Sequence, residues 1–165
     1  MIVWLDEAAM QTIRHETLRH PTLETGGALF GWRDADQCVI ACAGDPGARA
    51  RHRRRSFEAN RGHSQSLINQ IHEKSQGRYR FVGSWHSHPG TSRMPSKRDN
   101  TTAQEIAADP EVGLSEPLIV IISQDLATLQ NEDPDQAIRC YWWSQLERRL
   151  IQSQLLNTQL LDKWC

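Results

Sequence analysis

Apolar positions along the chain follow two different rhythms. Short runs at Ile2–Leu5, Ala28–Trp32, Gln37–Ala43, Tyr79–His86, Pro117–Ser123 and Ala137–Trp143 are the length of strands, and another strand is expected around Phe57. Arg33-Asp34-Ala35-Asp36 has the composition of a turn, so the second and third runs read as a hairpin. Elsewhere the spacing is helical. Asp6 is placed to cap a helix whose stripe is Met10, Ile13, Thr17 and Leu18 and which stops near Pro21. Leu67, Ile68 and Ile71 mark a second helix within Gly62–Gln76, ended by Gly77. A third runs from Ser96 to Asp109, before Pro110. Leu146, Leu150, Ile151 and Leu155, in a stretch free of Pro and Gly, predict a C-terminal helix over Ser144–Trp164.

Helices interleaved with strands predict an α/β domain, a central mixed β-sheet flanked by helices plus the C-terminal helix. At 165 residues, with no repeat, low-complexity tract or linker, the chain reads as one domain.

Composition narrows the function classes. Nineteen Lys+Arg against twenty Asp+Glu, a net charge of -1, argue against a nucleic-acid coat or a polybasic membrane binder. Leu118–Ile122 is too short to cross a bilayer, which needs about 20 apolar residues, and the N-terminus lacks signal-peptide features. A cytoplasmic protein is expected, with no nucleic acid or membrane as partner. The cysteines, Cys38, Cys42, Cys140 and Cys165, form no Cys-x-x-Cys pair and read as free thiols. Cys38 and Cys42, four apart in a strand, would lie ~13 Å apart on one face, too far to share a metal. Five arginines fall between positions 49 and 55 without interleaved aromatic residues. They read as a solvated loop, or as a contact for an acidic patch on a protein substrate.

The chemistry concentrates in Trp85-His86-Ser87-His88-Pro89, followed by Ser96-Lys97-Arg98-Asp99. Residues two apart in a strand share a face, so His86 and His88 can present both imidazoles to one point. Asp99, in the first turn of the next helix, can add an oxygen. Two imidazoles and a carboxylate are the ligand set of a catalytic zinc, which leaves a fourth position for water. Ser96-x-x-Asp99 is equally a capping box, and the two readings compete for one carboxylate. Upstream, Glu24 precedes Gly26-Gly27, glycines that permit close backbone approach. A glutamate near a zinc but not on it suits a general base; beside a turn it is otherwise a plain surface carboxylate. His63 and His72, nine apart on a predicted helix, face opposite ways and compete poorly.

Together these residues resemble the JAMM (MPN+) metalloprotease signature: an upstream glutamate, His-Ser-His-Pro, a short spacer, then Ser-x-x-Asp, spanning Glu24 to Asp99. The resemblance implies a cytidine-deaminase-like JAMM/MPN fold, with residues 1–143 as the catalytic domain and 144–165 as a helix of the same domain. It implies one zinc per chain held by His86, His88 and Asp99. By the same likeness Glu24 would move a proton from the attacking water to the leaving amine, and Ser96 would donate to the oxyanion. The implied reaction is hydrolysis of a peptide or isopeptide bond after the C-terminus of a ubiquitin-like or otherwise conjugated protein.

The compact length is similar to that of bacterial members, among them the deconjugating proteases of CBASS-type antiphage operons, which release a nucleotidyltransferase from its conjugates. Two alternatives stay open: a peptidase acting on a sulfur-carrier protein, and a non-catalytic MPN scaffold. Oligomeric state is not legible.

Overall fold

A computed structural model describes residues 1–125 and 137–159. The elements in order are β1 (Ile2–Asp6), α1 (Glu7–Arg19), β2 (Gly26–Arg33), β3 (Gln37–Ala43), β4 (Arg51–Arg53), β5 (Ser56–Glu58), α2 (Arg61–Lys74), β6 (Arg80–His88), α3 (Lys97–Ala108), β7 (Leu118–Ser123), β8 (Ile138–Ser144), β9 (Arg149–Gln152) and β10 (Gln154–Thr158). Eight strands form one curled mixed sheet in the order β10-β1-β3-β2-β6-β7-β8-β9, and β4 and β5 pair as a separate hairpin. The expected α/β architecture is therefore present, with α1 and α3 starting where their caps were read: Asp6 accepts from the Ala8 amide, and Ser96 from that of Asp99.

α1 packs on one face, where Ala9, Met10 and Ile13 join Val3, Leu5, Leu29, Ile40, Trp85, Val120 and Ile122. Two clusters cover the other face: α2 supplies Leu67, Ile68 and Ile71 over Phe30 and Ala41, and α3 sets Ala103 over Ile119, Ile121, Tyr141 and Trp143. Strand β7 shows why one run serves both: Leu118, Val120 and Ile122 point to α1, Ile119 and Ile121 to α3. Each such side chain taken from water contributes about 1.5–3 kcal/mol.

The expected C-terminal helix is not what forms. Residues Arg149–Gln152 pair antiparallel with β8, and Gln154–Thr158 pair parallel with β1; positions 160–165 lie outside the described residues. Leu146, placed in the stripe of the expected helix, is 92% exposed in the turn before β9, where Arg148 takes a positive φ of 52°. Leu150 instead packs under α3 and Leu155 against the α1 face. Two open sheet edges demanded hydrogen bonds that a helix would not supply, and pairing overrode the helical spacing.

A bulge in β3 also corrects the cysteine reading. The pairing slips between Phe30 and Gly31, so Cys38 and Ile40 face α1 while Ala41 and Cys42 face α2. Cys38 and Cys140 are free and buried, but Cys42 is disulfide-bonded, against the expectation of a free thiol.

Candidate metal centre

A second bulge aims the histidines. In the β2–β6 ladder Phe30 pairs with Phe81 and Leu29 with Gly83, so Val82 and Gly83 together fill one step. Phe81 points to α2, Val82 to α1, and beyond the extra residue Trp85 returns to the α1 core. Ser84, His86 and His88 consequently fall on the α2–α3 face. Gly83 has φ +152°, and a Cβ there would lie 2.0 Å from the Leu118 carbonyl oxygen. Only glycine fits.

Parallel pairing of β6 with β7 places His88 beside Ser123, and Pro89 turns the chain away. The loop is tied down by Tyr141, whose hydroxyl donates to the Arg93 carbonyl at 2.9 Å. Gly90 takes φ +88°. Ser96 then starts α3, and Asn100 fixes that helix to β9 by accepting from the Leu150 amide at 2.9 Å. The result is convergence. His86 Nε2 and His88 Nε2 are 2.9 Å apart, Asp99 Oδ1 is 3.2 Å from the first, and Asp99 Oδ2 is 3.6 Å from the second.

The capping box forms as well. The Ser96 amide donates to Asp99 Oδ2 at 2.6 Å and the Asp99 amide donates to Ser96 Oγ at 3.2 Å. One Asp99 carboxylate oxygen therefore closes the cap while the other faces His86, so the cap does not take up the whole carboxylate. Burial opposes the charge on Asp99, but hydrogen bonds from His86 and His88, the charge of His86 and the bond from Ser96 outweigh it, holding the carboxyl well below the usual carboxylate range.

Glu24 is held by backbone contacts that the sequence did not disclose. Its amide donates to the Arg53 carbonyl at 2.8 Å, and its carbonyl lies 3.1 Å from His52 Nδ1. His52 stacks on His20 with ring centroids 3.8 Å apart. The arginine-rich segment 49–55, expected as a loop, thus contains β4, and the hairpin it forms with β5 carries the base candidate's neighbours. Thr25 is bonded in both directions to Ser87, and Gly26 pairs with His86. Gly27 sits so close to Gly44 that a Cβ would meet its carbonyl oxygen at 2.0 Å.

Burial raises the Glu24 carboxyl above its ordinary value, with His86 and His88 opposing and Asp99 reinforcing. A cleft of about 880 Å³ is lined by Glu24, His88, Ser96 and Asp99 together with Arg53, Arg54, Arg55 and Arg98. Four of the five residues singled out in the sequence thus line one cleft, and His86 lines an adjoining pocket that shares Glu24 and Asp99 with it. Among the described residues, His86, His88 and Asp99 are the group whose ligand atoms all fall within 4.8 Å of one another.

Gln124 and Ser87 were missed. The Gln124 side-chain amide reaches the carbonyls of His20 and Leu23 at 2.9 and 2.6 Å, and Ser87 Oγ at 2.8 Å. Its backbone amide lies 3.0 Å from the His88 carbonyl. A lone glutamine after an apolar strand carries no sequence signal; only the β6–β7 neighbourhood brings it to the site.

The description "Prokaryotic homologs of the JAB domain" matches residues 6–141. The chain belongs to this family. A probable metalloprotease, y4qB, of Sinorhizobium fredii is 29% identical over 160 residues, covering 95% of this chain and 92% of the relative. A CD-NTase/cGAS isopeptidase of Vibrio cholerae is 24% identical over 92% of this chain and 85% of that protein, and one from Enterobacter hormaechei is 30% identical over 74% and 68%. A similar fold is seen in the solution structure of protein DSY2949 from Desulfitobacterium hafniense, with a TM-score of 0.68, 20% identity, and 98% and 96% of the two chains covered. The resemblance to JAMM/MPN+ proteases read from the signature thus agrees with the family and with relatives named as metalloprotease and isopeptidase. No helix among the described residues is long and apolar enough to cross a membrane.

Proposed function

We propose that this JAB-domain chain is a zinc-dependent isopeptidase that hydrolyses the bond after the C-terminus of a ubiquitin-like or otherwise conjugated protein. The observation that carries the reading is the meeting of two imidazole nitrogens and a carboxylate beside a cleft that His88, Asp99, Glu24 and Ser96 line. The donor set fits the ion: two nitrogens and one oxygen, on a rigid strand and a capped helix turn, are the protein ligands of a catalytic rather than structural zinc. His86 and His88 would hold one zinc per chain through Nε2, and Asp99 through Oδ1. When bound, zinc supplies a Lewis acid that lowers the pKa of water to about 7 and polarises the scissile carbonyl.

The chain's own residues supply the rest. Glu24, with its carboxyl raised by burial, accepts a proton from the attacking water and returns it to the leaving amine as the C–N bond breaks. Ser96 Oγ accepts from the Asp99 amide, so its own proton remains available to the oxyanion. Asp99 keeps one oxygen on the Ser96 amide, which fixes its carboxylate plane without depending on the ligand atom.

The relatives named CD-NTase/cGAS isopeptidase support CD-NTase conjugates as the substrates, and the cytoplasmic antiphage role implied by the JAMM resemblance is part of the same proposal. The test is incubation of zinc-loaded protein with fusions of candidate ubiquitin-like proteins and a CD-NTase, read by intact mass. Cleavage at one bond by wild type and not by Glu24→Ala is expected. No cleavage by wild type, or equal cleavage by Glu24→Ala, overturns the reading.

A further inference from the structure

The arginine-rich segment is not a detached loop. β4 and β5 pair Arg51 with Glu58 and Arg53 with Ser56, leaving Arg54 and Arg55 at the turn. The hairpin is bolted to the base candidate from both sides, through the Glu24 amide on Arg53 and the Glu24 carbonyl beside His52. His52 is itself packed between His20 and Phe57. The segment's backbone is therefore fixed relative to the reacting atoms, and Arg53, Arg54 and Arg55 line the cleft. Arg98, in the first turn of α3, lines it too.

These charges have little local compensation. The salt bridge within the hairpin joins Arg51 to Glu58 at 3.9 Å, and Arg53, Arg54 and Arg55 take part in none among the described residues. The carboxylates lining the cleft are Glu24 and Asp99, and both are engaged in the site. A chain with net charge -1 has thus gathered guanidinium groups at the mouth of its proposed active site. Guanidinium groups held at fixed positions recognise carboxylates through paired N–H donors.

We infer that this cleft selects acidic polypeptide: the substrate segment entering beside the metal centre carries aspartate or glutamate side chains that pair with Arg53, Arg54, Arg55 and Arg98. This rests on the isopeptidase reading and names a substrate class for it. A peptide is favoured over nucleic acid because the arginines flank a cleft of peptide size and present no aromatic platform for bases. Longer-range attraction would also speed encounter with an acidic chain end.

The experiment is fluorescence anisotropy on zinc-loaded Glu24→Gln, which cannot turn over its probe. The probes are a neutral Gly/Ser/Ala decapeptide, the same peptide with two aspartates, the same with two lysines, and a single-stranded oligonucleotide. Each carboxylate should tighten binding about tenfold at low salt, and the gain should shrink as salt rises. Arg54→Glu/Arg55→Glu, changes confined to an exposed turn, should abolish or invert that order while circular dichroism stays unchanged. Equal affinity for neutral and acidic peptides, an order that survives the charge reversal, or tighter binding of the oligonucleotide overturns the inference. Cleavage of the tightest peptide by wild type is scored separately, so loss of the isopeptidase reading and loss of the acidic preference are distinguishable.

Discussion

Gln124 Nε2 lies 2.8 Å from Ser87 Oγ, joining the end of β7 to the residue between the two histidines. The same glutamine reaches the carbonyls of His20 and Leu23, and its backbone reaches His88. One buried side chain thus braces the segment that presents Glu24 against the strand that presents His86 and His88. Gln124→Leu keeps the volume and removes the donors, leaving the partly buried Leu23 carbonyl without this partner. It should cost about 1–3 kcal/mol in urea unfolding and lower kcat more than it raises KM. A stable variant with unchanged kcat would mean the brace is structural only.

Glu24 and the ligands should separate in a metal assay. Glu24→Ala should keep zinc, measured by elemental analysis of the dialysed protein, and lose turnover. His88→Ala should lose both. Equal zinc loss in the two variants would contradict the assignment of Glu24 as base.

Ser96 caps α3 and is proposed to donate to the oxyanion, and two substitutions divide these roles. Ser96→Gly should change stability by only a few tenths of a kcal/mol, since glycine is tolerated at an N-cap, yet lower kcat by ~100-fold or more. Ser96→Thr, which restores a hydroxyl, should recover much of the rate. Unchanged kcat in the glycine variant removes Ser96 from the chemistry.

Gly83→Ala places a Cβ against the Leu118 carbonyl at a positive φ. The bulge must then shift, with a loss on the order of 2–4 kcal/mol and weaker metal retention because His86 and His88 turn with the strand. Thermal unfolding and zinc titration together check it. A stable variant that binds zinc normally would show that the bulge does not set the histidine face.

Burial pushes the Cys38 thiol up to about 12 and that of Cys140 higher still. Both should resist iodoacetamide at pH 8 in the native protein and react after unfolding, as counted by mass. The sign for stability follows. Unfolded thiols ionise near 9.0 while the buried ones stay neutral, so their contribution is intact below that pH and is lost as pH rises toward 12.

Much of this molecule was legible before any coordinates. Periodicity located α1, α2, α3 and most strands of the large sheet because each buries a face whose spacing is local. His86-x-His88 and Ser96-x-x-Asp99 were legible for the same reason, since strand alternation and cap geometry act over a few residues. Glu24 was singled out by its place before a double glycine and by its fit to the signature.

Long-range pairing decided the remainder. Leu146, Leu150 and Leu155 keep helical spacing, yet sheet edges at β8 and β1 took up their backbone as strands. The bulges at Gly83 and beside Ala41 choose which face a side chain meets, and they arise from register against a partner strand rather than from the residues alone. Gln124, His52 and Tyr141 became part of the site only when distant segments closed on it. Local patterns specify what a segment buries, whereas hydrogen-bond partners across the sheet specify where its polar groups must end.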